Sequence, residues 1–116
     1  MRRLLLLLVP LLFLAAHTAR ADAFVKGTED VPLMPGLQHV AGSDVVFDKP
    51  EGRIVEVQTQ GALTRAKVQA FYAASLPPLG WKKIGADQWQ RDAERLKLDF
   101  RGADGRLIVG FTISPQ

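Results

Sequence analysis

Arg95-Leu96-Lys97-Leu98-Asp99-Phe100-Arg101 alternates charged and apolar side chains at every step. Successive side chains of an extended chain point to opposite faces, so Leu96, Leu98 and Phe100 share one face and the four charged residues share the other. One face is buried and the other wet, the pattern of an antiparallel sheet. Gly102-Ala103-Asp104-Gly105 follows as a turn sequence, and beyond it Leu107, Val109, Phe111 and Ile113 keep the same period of two. Two neighbouring strands joined by a tight turn set the frame for the rest of the chain.

Reading backwards, Trp81 to Ile84 and Gln88 to Arg91 are short strand candidates around Gly85-Ala86-Asp87. Before them the period changes. Val68, Phe71, Tyr72 and Leu76 recur at spacings of three and four, which predicts a helix from Arg65 to about Leu76. Thr64 is placed to cap its first turn, and Pro77-Pro78 ends it by disfavouring helical geometry and withholding backbone donors. Ser43 to Asp48 and Arg53 to Gln60, rich in Val, Ile and Phe, flank the turn sequence Lys49-Pro50-Glu51-Gly52 and predict a hairpin. The expected fold is α+β: an antiparallel sheet in the order ββ-α-ββββ, with one helix packed on one face, over residues 43–116.

Residues 22–42 contain Gly27, Pro32, Pro35 and Gly36, which break regular structure, yet Val31, Leu33, Met34 and Leu37 are too apolar for a free linker. The simpler reading is an irregular leader packed across the domain. The functional reading is an arm, centred on Asp30 to Leu37, that docks on a partner. Residues 1–21 have the organisation of a cleavable signal peptide: cationic Met1-Arg2-Arg3, the apolar run Leu4 to Ala16, then small residues. The run has 13 residues. As a helix it would cover roughly 20 Å, short of the ~30 Å hydrocarbon core. Ala19-Arg20-Ala21 fits the A-x-A cleavage pattern and places the cut before Asp22, with a cut after Ala23 as the alternative.

Removing this segment changes the charge balance. The chain has 15 Lys+Arg and 12 Asp+Glu. Arg2, Arg3 and Arg20 leave with the signal and every acid stays, so 12 basic residues face 12 acidic ones in the 95 residues from Asp22 to Gln116. A nucleic-acid binder should carry a cationic surplus, and the processed chain has none. There is no cysteine, which excludes a disulfide framework and a cysteine-linked lipid anchor.

Asp30-Val31-Pro32-Leu33-Met34-Pro35-Gly36-Leu37, together with Val68, Phe71-Tyr72 and Leu76-Pro77-Pro78-Leu79-Gly80-Trp81, resembles small exported proteins of Gram-negative bacteria. The passage from the helix into Gly80-Trp81 is also similar to a wider set of envelope domains in which a helix leads into a strand at a Gly-Trp pair. The resemblance implies a periplasmic location and a helix-on-sheet fold. It brings no reaction, ligand or catalytic residue with it.

The chemistry-bearing residues are few. His39 is the one histidine left after processing, too little for a metal site of the usual Cys/His/carboxylate kind. Ser43, Ser75 and Ser114 lack a G-x-S-x-G setting, and Asp92 and Glu94 flank a turn, where solvated acids are ordinary. Gly102 to Arg106 lacks the length and the lysine of a phosphate-binding loop. The expectation is a non-catalytic periplasmic domain, secretion being the variant, that needs no cofactor and binds or assists another envelope component, with an envelope protein as its partner. It would meet the membrane only transiently, through its signal. Leu33, Met34, Leu37 and Trp89 are the expected contact residues. Two alternatives stand beside it: a small-ligand carrier with a cavity between helix and sheet, and a minor hydrolase relying on His39.

Overall fold

The computed structural model describes residues 23–116. The signal segment 1–21, with its cleavage residues Ala19 and Ala21, lies outside the described residues. In chain order the elements are β1 (Gln38–His39), β2 (Val45–Lys49), β3 (Gly52–Gly61), α1 (Arg65–Ser75), β4 (Lys82–Gly85), β5 (Gln88–Arg91), β6 (Glu94–Arg101) and β7 (Leu107–Pro115). All strands pair antiparallel in one sheet of order β1-β3-β7-β6-β5-β4, and β2 shares with β1 the same outer side of β3.

Among the described residues, the α+β class and the one α-helix agree with the alternation and the 3–4 spacing. The order ββ-α-ββββ needs correction to βββ-α-ββββ. The extra strand, β1, comes from the leader, where Gln38 and His39 pair with Gln60 and Thr59 at the far end of β3. Two polar residues have no strand pattern of their own; an unfilled stretch of β3 recruits them. The last strand, β7, returns between β3 and β6, so it joins the N-terminal hairpin to the C-terminal meander.

The helix starts and stops for local reasons. The Thr64 hydroxyl accepts the Lys67 N–H at 3.1 Å and caps α1. After Ser75 the chain tightens into a 3₁₀ turn over Pro77–Leu79, and Gly80, at φ +95°, turns it into Trp81. The helix sends Val68, Tyr72 and Leu76 into the core, where Leu96, Leu98, Leu107, Val109, Phe111 and Ile113 form the sheet side. Tyr72 meets Phe111 edge-on at 5.5 Å.

The leader is part of this core. Val25, Val31, Leu33 and Leu37 are all buried. Its backbone closes on itself through Val25 N–H to the Val31 carbonyl (2.8 Å) and Leu33 N–H to the Ala23 carbonyl (2.9 Å). Two aromatic side chains then fasten it. The Tyr72 hydroxyl donates to the Pro32 carbonyl at 2.7 Å and accepts the Met34 N–H at 3.1 Å, while Trp81 Nε1 donates to the Asp30 carbonyl at 2.9 Å. The apolar content of residues 31–37 is spent on packing.

Tyr72 makes this arrangement testable by pH. Burial pushes its hydroxyl well above the ordinary tyrosine range, partly opposed by the Met34 N–H. The unfolded chain therefore loses this proton first, so the stability tied to Tyr72 is full below about pH 10 and falls as pH rises beyond it. Tyr72→Phe is expected to lose about 1–3 kcal/mol near neutrality, because Pro32 and Met34 keep buried polar groups without a partner. The variant should also show a shallower alkaline decline than the parent, read as urea midpoints at about pH 8 and about pH 11. Parallel declines would remove Tyr72 from the account.

Candidate functional site

Because α1 and the leader cover one face of the sheet, the other face is open. The register says which side chains it carries. Lys97 stands opposite Thr112 on one side and Gln88 on the other, and Arg95 stands between Ser114 and Gln90. Lys82 continues the second row beyond Gln90. Arg95, Lys97, Arg101 and Lys82 are exposed. Asp99 behaves differently: it faces Gly110, and a Cβ there would lie 2.8 Å from its carboxylate oxygen. Its charge therefore lies flat over β7, while Arg101 reaches across to the Gln58 amide oxygen at 2.9 Å. The result is an open face with exposed cations along β6 and β4 and amide and hydroxyl groups between them, passing through Ile108 and Ile54 to the exposed Glu56, Val45 and Phe47 at the β3–β2 side.

A second polar cluster closes one end of the layer between sheet and helix. Arg53 on β3 donates to Glu94 on β6 at 2.7 and 3.0 Å, and to Asp30 in the leader at 2.9 Å. Arg91 on β5 also reaches Asp30, donates to the Leu79 carbonyl at 3.1 Å and lies over the Trp81 ring at 4.8 Å. Hydrogen bonding to Glu94, then attraction to Asp30, holds the Arg53 guanidinium above its ordinary range against partial burial. Every charge here has an opposite neighbour, so the cluster ties three strands to the leader.

A groove of about 340 Å³ lies beside α1, lined by Gln69, Tyr72, Lys83, Asp87, Trp89 and Leu98. The Lys83 ammonium lies 5.9 Å from the centre of the Trp89 ring. Gln69 donates to Asp87 at 3.0 Å across its mouth.

The structure sorts the expected contact residues differently from the sequence. Leu33, Leu37 and Trp89 are 8, 4 and 4% exposed, so they belong to the core, and Met34 is half-buried against it. For Trp89 the reason is register: facing Leu96 and Lys83 puts it on the helix side, and its neighbours Gln88 and Gln90 take the open side. His39 uses Nε2 to accept the Lys26 N–H at 3.0 Å. Ser43 donates to the Val40 carbonyl at 2.7 Å and accepts the Gln58 N–H at 3.2 Å. Both are occupied with backbone. Asp92 and Glu94 do not act as a pair, since Glu94 belongs to Arg53 and Asp92 sits in the turn at φ +52°. Among the described residues, no three His, Cys, Asp or Glu side chains gather as metal ligands would, and no helix is long and apolar enough to cross a membrane. No protein-family model, curated protein or solved structure matches this chain.

Proposed function

We propose that this chain is an exported, non-catalytic binding module of the bacterial cell envelope that docks through the open face of its sheet onto an acidic protein surface. The observation that carries the reading is the uncovered face with Lys82, Arg95, Lys97 and Arg101 exposed along it. A sheet face left bare by its own helix, with four exposed cations on its β4–β6 side, is suited to a broad partner that meets that side with complementary charge. Export rests on Met1-Arg2-Arg3, the apolar run Leu4 to Ala16 and Ala19-Arg20-Ala21.

The test uses the processed chain as bait in envelope extracts, beside an Arg95→Glu/Lys97→Glu variant checked for native circular dichroism. The partner is expected to bind the parent, to release as salt is raised, and to bind the variant at least about tenfold more weakly. Equal recovery by both baits rejects the face. A periplasmic fraction containing protein that begins at Asp22 is the expected result for export; full-length protein in the cytosol rejects it.

The groove beside α1 supports a second reading, a small-ligand carrier, because it opens between the helix and β4–β5 and presents one ammonium, Lys83, and one carboxylate, Asp87, in its wall. Native mass spectrometry of the purified protein decides this: a retained mass favours the carrier, and bare protein rejects it.

A further inference from the structure

We infer that the free edge of β2 pairs antiparallel with the β2 of a second copy of this chain, in a register centred on Phe47. This goes beyond the binding role assigned to the open face and does not depend on it.

The two edges of the sheet are unlike. At one edge β4 is short, carries Lys82 and Lys83, and slips register between Lys83 and Gly85. Lysines and a bulge are the usual guards against edge pairing. At the other edge β2 runs regularly from Val45 to Lys49 with no slip, and Val45, Val46 and Phe47 are 44, 50 and 46% exposed. A regular edge whose first three residues are exposed and apolar, with charge only at Asp48 and Lys49, is a template for another strand.

The backbone fixes which groups are on offer. Gln58 of β3 accepts the Val40 N–H at 2.9 Å and donates its own N–H to Ser43 at 3.2 Å, so its polar groups point toward the β1–β2 side. Alternation gives Ile54 and Glu56 the same direction, and they bond Phe47 and Val45, which stand opposite them. The N–H and C=O groups of Val46 and Asp48 then point outward, and no other strand of the described residues pairs with them.

Charge selects the register. A two-fold axis normal to the sheet pairs residues of like parity, so it passes through Val46, Phe47 or Asp48. Centring on Val46 sets Asp48 against the second copy's Asp44, and centring on Asp48 sets the two Asp48 side chains together; facing like charges oppose both. Centring on Phe47 sets the two rings side by side and lets Val46 and the second copy's Asp48 exchange hydrogen bonds. It also sets Val45 opposite the second copy's Lys49. Glu56 is exposed, stands opposite Val45 on β3, and shares that face. The incoming lysine thus has a carboxylate two strands away, about 10 Å between backbones across Val45 and within the reach of two long side chains, and the two-fold repeats the pair.

The contact is small, so a reversible, concentration-dependent dimer is expected. Sedimentation equilibrium of the processed chain should show mass rising from one copy toward two with concentration. Lys49→Glu, which places like charges together, should weaken the dimer about threefold to tenfold through its two pairs, and Lys49→Glu/Glu56→Lys should restore it. The chain has no cysteine of its own, so Phe47→Cys reports proximity cleanly. Mild oxidation should link two copies through position 47 and leave Lys83→Cys, on the guarded edge, unlinked. A parent that stays monomeric at every concentration overturns the inference. So does a dimer that ignores Lys49→Glu and leaves Phe47→Cys unlinked, or a β2 edge that takes up only a strand from a different protein.

Discussion

Trp81→Ala is expected to remove about 3–5 kcal/mol of folding stability, the range for truncating a buried aromatic side chain. Trp81 is 1% exposed and belongs to the central cluster. Its loss acts on three partners. The packed space around it empties, the Asp30 carbonyl loses the indole N–H at 2.9 Å, and the Arg91 guanidinium loses the ring it covers at 4.8 Å. A domain of this size has roughly 5–15 kcal/mol in total, so this change approaches the whole reserve. It corresponds to a fall in melting temperature of roughly 15–30 °C. Trp81→Phe separates the contributions: it keeps most of the packed ring and gives up the hydrogen bond, for about 1–3 kcal/mol. Because the Asp30 carboxylate holds the Arg91 guanidinium that lies over the Trp81 ring, Trp81→Ala combined with Asp30→Ala should fall short of the sum of the two by about 0.5–3 kcal/mol, the Asp30 backbone carbonyl being present in both. Urea unfolding of the four variants measures each quantity. A Trp81→Ala midpoint close to the parent's would mean that the leader and the helix end do not meet over this ring.

Some of this was legible in the sequence because it is local. The alternation from Arg95 to Arg101 names the two faces of β6 outright, and the cations of the open face come with it. The cap at Thr64 and the stop at Pro77 are likewise written in single residues. What could not be read depends on pairing between distant segments. Gln38 and His39 become a strand only because β3 is longer than β2 and leaves Thr59 and Gln60 to be paired. Trp89 lies between two glutamines, so its periodicity permits either face, and the pairing with Leu96 chooses. Asp30, Arg53, Arg91 and Glu94 stand on four separate segments, and nothing near any of them in the chain marks a cluster. Val45-Val46-Phe47 reads as an ordinary strand; its exposure follows from topology, since β7 occupies the other side of β3.

Gly61→Ala is expected to loosen the leader from the sheet, lowering stability by about 3 kcal/mol, the upper part of the range for overpacking. A Cβ at Gly61 would lie 2.2 Å from the Gly36 carbonyl oxygen and 3.1 Å from its carbonyl carbon. Favourable non-bonded contacts between heavy atoms begin near 3.5 Å, so about 1 Å of movement is needed. The obstacle is backbone, which has no rotamer to change. Gly36 is held at φ +100° in a turn closed by the Leu37 N–H to the Met34 carbonyl at 3.0 Å, and the Leu63 side chain lies close enough that a Cβ on Gly36 would stand 3.3 Å from it. Displacing that turn pulls on buried Leu37 next to it and on β1 just beyond. Amide exchange in the variant should therefore quicken from residue 33 to residue 39 while the β6–β7 ladder stays protected. Gly85→Ala is the matched control. Gly85 also sits in a strand, but its Cβ would meet nothing within 4 Å, so its midpoint should stay within about 0.5 kcal/mol of the parent. If Gly61→Ala behaves like Gly85→Ala, the leader does not rest on β3, and burial of Leu33 and Leu37 goes with it.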